Sequence, residues 1–383
     1  MSKNRLKIGI VFDDSLDSND GVQQYVKQLG GWLIDQGHEV RFLVGETHDA
    51  GRFQPFVHSL SRNIKISGNQ NKMFLPFTSS KRAIKEVLEY EKFDVLHVMM
   101  PTNPLMGSRV VNYAKGTPIV GTFHMVGGTP LINFGARLLS IVQKRTLSKI
   151  THFLSVSVAA QEFEKKYFRR ISQVSPNMVV MKNFAKGAPK RFLQGEKATV
   201  TFLGRLVERK GAIHLLEAAR LLHQQGQLDG VQITICGDGE LRPDLEEYTQ
   251  NHQLDQNVVF HGFIDEAEKG DFLASSDVAV FPSTGGEAFG IVLIEAMSTG
   301  KTVVLGGDNS GYRSVLGGKE ELLFNPTQHR ELADKIHHFI TNTKAAKTAI
   351  DWQLEEVKQY DVNIVGKDIL ERYKTVIDDA TKG

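Results

Sequence analysis

Residues 278–297 read VAVFPSTGGEAFGIVLIEAM. An apolar, β-branched run ends at Pro282-Ser283, a Gly-Gly turn follows, and a second apolar run resumes at Gly290 with a helical period. That is a strand, a tight turn and a helix, one half of a βαβ unit. The same grammar extends outward in both directions. Toward the N-terminus it predicts strands at KIGIVF, EVRFLV, DVLHVM, PIVGTFH, HFLSVS and MVVMKNF, with helical patterns between several of them. In the second half it predicts strands at ATVTFLG, VQITICG, NVVFHGF, VAVFP, TVVLGG and ELLFN. Near-continuous apolar strands joined by helical crossovers mean parallel sheets covered on both faces.

At 383 residues the chain is long enough for two such domains. The aperiodic stretch KNFAKGAPKRFLQGEKA, residues 182–198, is the expected linker. The predicted organisation is one Rossmann-like domain over 1–185 and a second over 186–350. A helical segment over 351–383 is expected to pack back toward the first domain. Two doubly wound domains facing across a cleft would place ligands at the carboxyl ends of their strands.

Bulk composition excludes several classes. Lys and Arg number 46 against 44 Asp and Glu, a formal charge of +2, so no global field argues for nucleic acid. The single cysteine, Cys236, rules out an internal disulfide and fits a reducing cytoplasm. The first apolar run is too short for a signal peptide or a membrane span, and no later run reaches spanning length. Any meeting with a membrane is expected from the surface.

The strand-end motifs carry the chemistry. In TFLGRLVERKG, residues 201–211, the cations Arg205, Arg209 and Lys210 stand between a strand and a helix N-terminus. They form either an anion site suited to a diphosphate or a solvated basic turn. In CGDGE, residues 236–240, Gly237 and Gly239 supply only the first half of a G-x-G-x-x-G fingerprint. They fit a tight turn as well as a ligand, and a nicotinamide site is not supported. In PSTGGEAFGIVLIEAM the amides of residues 288–291 at the helix start would face an anion. Glu295 lies about 7–8 Å further along the helix axis, at 1.5 Å per residue. A buried carboxylate needs a partner; a ribose diol at that distance from a phosphate supplies one, whereas a solvent-facing Glu295 would merely aid the helix. His124, at the end of PIVGTFH, reads on its own as a structural histidine.

GRLVERKG, GDGE and GGEAFGIVLIEAM, with carboxylates eight residues apart, resemble the family 4 retaining glycosyltransferases of GT-B fold. With GVQ, FDVLHV and GTFH they are most similar to the bacterial phosphatidylinositol mannosyltransferase group. The resemblance implies that Arg205 and Lys210 hold the donor diphosphate. It places Glu287 on sugar hydroxyls, with Ala288, Phe289, Gly290 and Ile291 giving amides to sugar and phosphate, and Glu295 on the ribose. His124 would lie beside the transferred sugar, Gly21 would let its loop approach the phosphates, and Asp14 and Gln23 would face the acceptor. Asp20-Gly21 stands where the family usually has Gly-Gly. Ile264 would contact the base by its backbone.

Four expected catalytic residues follow: His124, Arg205, Lys210 and Glu287. No DxD-like metal motif is evident, so no tightly bound cofactor is expected, and Mg2+ would come only with the donor diphosphate. Asp265 or Glu266 could pair with guanine N1–H and N2–H, or simply cap the next helix. Guanine is therefore favoured over uracil, and the resemblance implies mannose, so GDP-mannose is favoured over a UDP-sugar. Lys81, Arg82 and Lys85 on one helix, and KKYFRR at 165–170, suit an anionic membrane surface, or else solvated faces. The expected partners are a nucleotide sugar and a lipid acceptor such as phosphatidylinositol, with no nucleic acid. The expected location is the cytoplasm, peripheral on the inner face of the cell membrane. The alternatives are a soluble acceptor, a UDP-sugar donor, a nucleotide-sugar epimerase and a non-catalytic nucleotide-sugar sensor.

Overall fold

The computed structural model describes residues 5–18, 20–68, 71–127, 130–185 and 197–382. The chain divides into two units, one of Met1–Met178 with Val362–Gly383 and one of Val179–Asp361. Its strands are β1 Lys7–Phe12, β2 Glu39–Val44, β3 Val57–Ser59, β4 Ser61–Gly68, β5 Asn71–Ser79, β6 Val95–Met99, β7 Ile119–Phe123, β8 His152–Ser155, β9 Gln173–Val174, β10 Ala198–Leu203, β11 Val231–Cys236, β12 Val258–Gly262, β13 Val278–Phe281, β14 Val303–Gly307 and β15 Leu323–Phe324.

The first unit carries a parallel sheet in the order β3-β2-β1-β6-β7-β8-β9. The order reverses between β1 and β6, as in a Rossmann-like fold. Ile8, Ile10 and Val11 of β1 and Val95 and Leu96 of β6 are fully buried, which is why these strands read as unbroken apolar runs. The second unit repeats the arrangement in the order β12-β11-β10-β13-β14-β15, again parallel and again reversing beside its first strand. Both units are therefore the Rossmann-like α/β domains that the strand and helix alternation predicts.

The structure differs from the sequence reading in three places. MVVMKNF is not a strand: Met181–Ala185 is a short helix, and only Val179 makes an isolated bridge, to Asp361. The β4–β5 pair is an antiparallel hairpin with a register shift near Arg62, in a segment for which no element was predicted. The expected linker at 182–198 begins with that helix, and its residues 186–196 lie outside the described residues.

The C-terminal segment divides at Asp361/Val362. The helix Thr343–Glu356 belongs to the second unit, and the helix Val362–Lys382 to the first. That last helix packs on the helix Gly21–Asp35. Gly366 is close enough to the Trp32 ring that a Cβ would lie 2.7 Å from it, and Trp32 Nε1 donates to Asn363 Oδ1 at 3.0 Å. Among the described residues no helix is long and apolar enough to cross a membrane.

Candidate functional site

In the second unit the carboxyl ends of β10 and β11 are stitched together by backbone. Gly204 N–H donates to Cys236 O, Leu206 N–H to Asp238 O, and Leu241 N–H to Leu206 O. Gly237 has φ +131°, and a Cβ there would meet Gly204 O at 1.9 Å. Only glycine permits that approach. The GDG stretch thus fixes the loop after β10, and close backbone packing accounts for it. Cys236 is buried beside it and donates to Gly262 O, and burial pushes its thiol up to about 12.

The loop after β10 turns through Glu208–Lys210 and starts the helix Ala212–Gln224 at Gly211, whose φ is +72°. Arg209 O accepts from Ser283 Oγ at 2.9 Å and from Thr284 N–H at 3.0 Å, which ties this loop to the one after β13. The consequence is a charge cluster. Glu287 Oε1 lies 2.8 Å from Arg209 Nη1, 2.8 Å from Lys210 Nζ and 3.0 Å from Ser283 Oγ. Burial alone would raise the Glu287 carboxyl, but the Lys210 and Arg209 charges outweigh it and hold it below its ordinary value. Burial lowers the Lys210 ammonium; Glu287 opposes that, and the Arg209 and Arg205 charges add to it. Two of the three cations expected from the sequence, Arg209 and Lys210, are thus brought together on Glu287, and Arg205 lies near enough for its charge to act on Lys210.

The Glu287 loop is braced from behind. A Cβ at Gly311 would sit 2.1 Å from Glu287 O, and one at Gly290, φ +120°, would sit 2.7 Å from the Tyr312 ring. Phe289 is buried, edge-on to Tyr360. Ala288 and Ile291 stay partly exposed at the start of the helix Ile291–Met297.

Glu295 is 2% exposed. Its Oε1 receives a hydrogen bond from Lys269 Nζ at 2.9 Å, and the same ammonium lies 3.0 Å from Glu266 Oε2. A buried carboxylate there is accordingly explained by a lysine as well as by a ribose, and Lys269 went unnoticed in the sequence. Burial would lower the Lys269 ammonium, but Glu295 and Glu266 outweigh it and raise it. Asp265 occupies the N-cap position of the helix Glu266–Ala274, and Ile264 is buried just before it.

The first unit holds its own cluster at the ends of β1 and β7. Asp14 Oδ1 accepts from Ser15 N–H. Gly21 opens the helix Gly21–Asp35. Gln23, expected to face an acceptor, is buried, and its amide is engaged by its own loop. Its Oε1 accepts from Ser18 Oγ and Asp20 N–H, and its Nε2 donates to Ser15 O. Asp13 is a second residue to which the sequence reading gave no role. It is buried, accepts from Gly107 N–H at 2.6 Å, and burial pushes its carboxyl up to about 7.

His124 follows β7 and sits edge-on to Tyr25, with ring centroids 4.8 Å apart. Burial lowers its pKa to about 3, so the imidazole is neutral, and its buried Nε2 has no hydrogen-bond partner among the described residues. One strand residue earlier in the same direction, Thr122 Oγ1 lies 2.6 Å from His97 Nε2, whose Nδ1 meets Tyr373 Oη at 2.6 Å. The C-terminal helix thereby reaches the strand that carries His124.

Lys81, Arg82 and Lys85 are exposed, and Arg82 pairs with Glu86 at 2.6 Å. In KKYFRR the aromatics Tyr167 and Phe168 are buried in the first unit's core and take no part in a surface. Among the described residues no group of three His, Cys, Asp or Glu side chains is arranged to hold a metal ion.

Residues 19–184 match the family described as Glycosyltransferase Family 4, and residues 185–352 match Glycosyl transferases group 1. The chain is 31% identical to a phosphatidyl-myo-inositol mannosyltransferase of Mycobacterium tuberculosis over 98% of this chain and 99% of that protein. It is 27% identical to the gpi3 subunit of phosphatidylinositol N-acetylglucosaminyltransferase of Schizosaccharomyces pombe, over 94% of this chain and 77% of that one. Among solved structures, Anabaena HepE in complex with UDP aligns with a TM-score of 0.76 at 19% identity, over 97% of this chain and all of that one. That likeness and the two parallel sheets give the GT-B fold. The chain belongs to glycosyltransferase family 4 and is a glycosyltransferase.

Proposed function

We propose that the chain transfers a hexose, mannose from GDP-mannose, to a phosphatidylinositol-type lipid with retention of anomeric configuration. The observation that carries this is the similarity, end to end, to proteins named phosphatidyl-myo-inositol mannosyltransferase. In this reading Arg205 and Lys210 hold the donor diphosphate, helped by amides of Ala288–Ile291 at the helix start. Glu287 takes sugar hydroxyls, and Glu295, oriented by Lys269, takes the ribose hydroxyls. Gly21 lets its loop approach the donor phosphates, and Asp14 serves the acceptor side. The neutral imidazole of His124 is fit to hydrogen-bond a sugar hydroxyl through its unpartnered Nε2.

The chemistry needs little covalent help from the protein. The bond from the sugar C1 to the diphosphate oxygen breaks, and a bond from C1 to the acceptor hydroxyl oxygen forms on the same face. The hydroxyl proton passes to the departing phosphate oxygen. The protein's task is to stabilise charge as it gathers on the leaving diphosphate, which the cations at 205 and 210 would do. Any Mg2+ would arrive with that diphosphate.

A second reading keeps the reaction and changes the donor, since HepE has been solved with UDP-glucose. The test is transfer of radiolabelled sugar from GDP-mannose and from UDP-glucose to detergent-dispersed phosphatidylinositol. A mannolipid formed only from GDP-mannose is expected. Transfer from UDP-glucose alone, or to no lipid, overturns the proposal.

A further inference from the structure

Four rings stand in a row in the first unit, and they come from four separate places in the chain. Tyr373 lies on the helix Val362–Lys382, His97 on β6, Tyr25 on the helix Gly21–Asp35, and His124 just past β7. Each meets the next edge-on. The ring centroids of Tyr373 and His97 are 5.6 Å apart, those of His97 and Tyr25 6.5 Å, and those of Tyr25 and His124 4.8 Å. Tyr373, His97 and Tyr25 are buried.

The row is polar as well as aromatic. His97 Nδ1 lies 2.6 Å from Tyr373 Oη, and its Nε2 lies 2.6 Å from Thr122 Oγ1. Burial lowers the His97 pKa to about 3, so the ring is neutral. A neutral imidazole donates from one nitrogen and accepts at the other. Whichever nitrogen it presents to Thr122, that buried hydroxyl is turned one way, and its remaining capacity is left for Tyr25 Oη close by. Apolar rings would fill the same space without the cost of desolvating these groups. What the polar groups add is a fixed orientation. The ring at the end of the row is the one that lacks it: His124 Nε2 is buried and has no hydrogen-bond partner among the described residues, so the Tyr25 ring holds it where that nitrogen does not.

We propose that Tyr373, His97 and Thr122 are positioning residues for His124, acting through Tyr25, so that the C-terminal helix sets the orientation of the imidazole at the end of β7. The inference rests on the proposed function only for its purpose, which is to present that imidazole to the transferred sugar. None of the three need touch the substrate.

The test uses the full chain and variants that keep the packing and remove one hydroxyl. Tyr373→Phe cuts the row at its far end, and Thr122→Val cuts it beside Tyr25; Thr122→Ser keeps the hydroxyl. The first readout is the side-chain nitrogen spectrum of histidine-labelled protein, with His124 assigned by its loss in His124→Gln. A neutral ring held in one tautomer gives two widely separated nitrogen signals. That separation should narrow for His124 in Tyr373→Phe and in Thr122→Val and persist in Thr122→Ser. The second readout is turnover. Both cutting variants should lose about tenfold or more in kcat, as expected when a reacting geometry is loosened from a distance. GDP affinity should stay unchanged, because Arg205, Lys210 and Glu295 lie in the second unit. Thr122→Ser should behave as the wild type.

His124 signals unchanged in both cutting variants overturn the proposal. So does a narrowed His124 separation with kcat at the wild-type level, since the orientation would then not matter to the reaction. Equal losses in Thr122→Ser overturn it too, because volume rather than the hydroxyl would be the cause. If one cutting variant fails to fold, the other decides. A wild type that forms no glycolipid ends the functional reading while the His124 spectrum still tests the row. A transferring wild type whose variants leave that spectrum untouched is the reverse case.

Discussion

Lys269 Nζ lies 2.9 Å from Glu295 Oε1, and the bond joins two helices, Glu266–Ala274 and Ile291–Met297, that pack against each other. The pair is buried, with Glu266 as the lysine's second carboxylate. Lys269→Met would strand the Glu295 carboxylate and should destabilise the second unit by about 3 kcal/mol. The charge on Lys269 also sets the pH window. Its folded-state value is raised, so its stabilisation is complete below the ordinary lysine value and fades only as pH rises through the raised one. Urea unfolding should show a constant gap between wild type and Lys269→Met from neutral pH to about 9, closing at higher pH. A gap that closes below that range removes the ion pair as its cause. Glu295→Gln, by contrast, should leave folding less disturbed and weaken GDP binding by about tenfold or more, read by calorimetry. Unchanged affinity would end the ribose assignment.

Arg205→Ala and Lys210→Ala test the other end of the donor. Lys210 shares Glu287 with Arg209 and Ser283, so removing it leaves that carboxylate with two partners. Each variant should therefore keep a melting temperature near that of the wild type. Each should lose about a hundredfold in turnover, the scale seen when one charge-stabilising group is removed from a transition state. Near-normal turnover in either would sink the diphosphate role of that residue.

Asp13 makes a pH prediction of the same sign as Lys269 but in a lower window. Burial raises its carboxyl to about 7, above its value in an unfolded chain. Between pH 4 and pH 7 the folded state then holds a proton that the unfolded state has released, so this residue lowers stability as pH rises through that window. Asp13→Asn keeps an oxygen for Gly107 N–H and removes the titration. Its urea midpoint should be flatter than that of the wild type across the window and should equal or exceed it at pH 7. A wild-type profile with the same slope as the variant would place the Asp13 value near that of an ordinary aspartate.

The sequence made the two Rossmann-like sheets legible because parallel strands such as Ile8–Val11 and Val278–Phe281 are buried on both faces, and a buried strand reads as an unbroken apolar run. The GDG glycines were visible as a motif, but their cause, the approach of Gly237 to Gly204 O, is a relation between two loops. Lys269 was invisible for the same reason, since nothing in EAEKGDF says that this lysine meets a carboxylate on another helix. Gln23 was placed correctly in the chain but not in orientation, because Ser15, Ser18 and Asp20 compete for its amide. MVVMKNF failed as a strand because β-branched content over so short a run does not separate a strand from a helix that tertiary packing selects.

The base is the remaining test of the donor. Glu266 stands at the first position of its helix, half-exposed, with one carboxylate oxygen 3.0 Å from Lys269 Nζ. A carboxylate so held can accept N1–H and N2–H of guanine together, whereas uracil offers a single N3–H. The competing explanation is local: Asp265 and Glu266 favour a helix N-terminus in any case. In a thermal-shift series GDP should raise the melting temperature more than UDP at equal concentration, because only binding to the native state stabilises it. Glu266→Gln should narrow that difference, since an amide supplies one acceptor where the carboxylate supplies two. Stabilisation by UDP but not GDP would remove guanine, and with it the mannose donor. A GDP preference left intact by Glu266→Gln would return Glu266 to its role as a partner of Lys269 at the start of its helix.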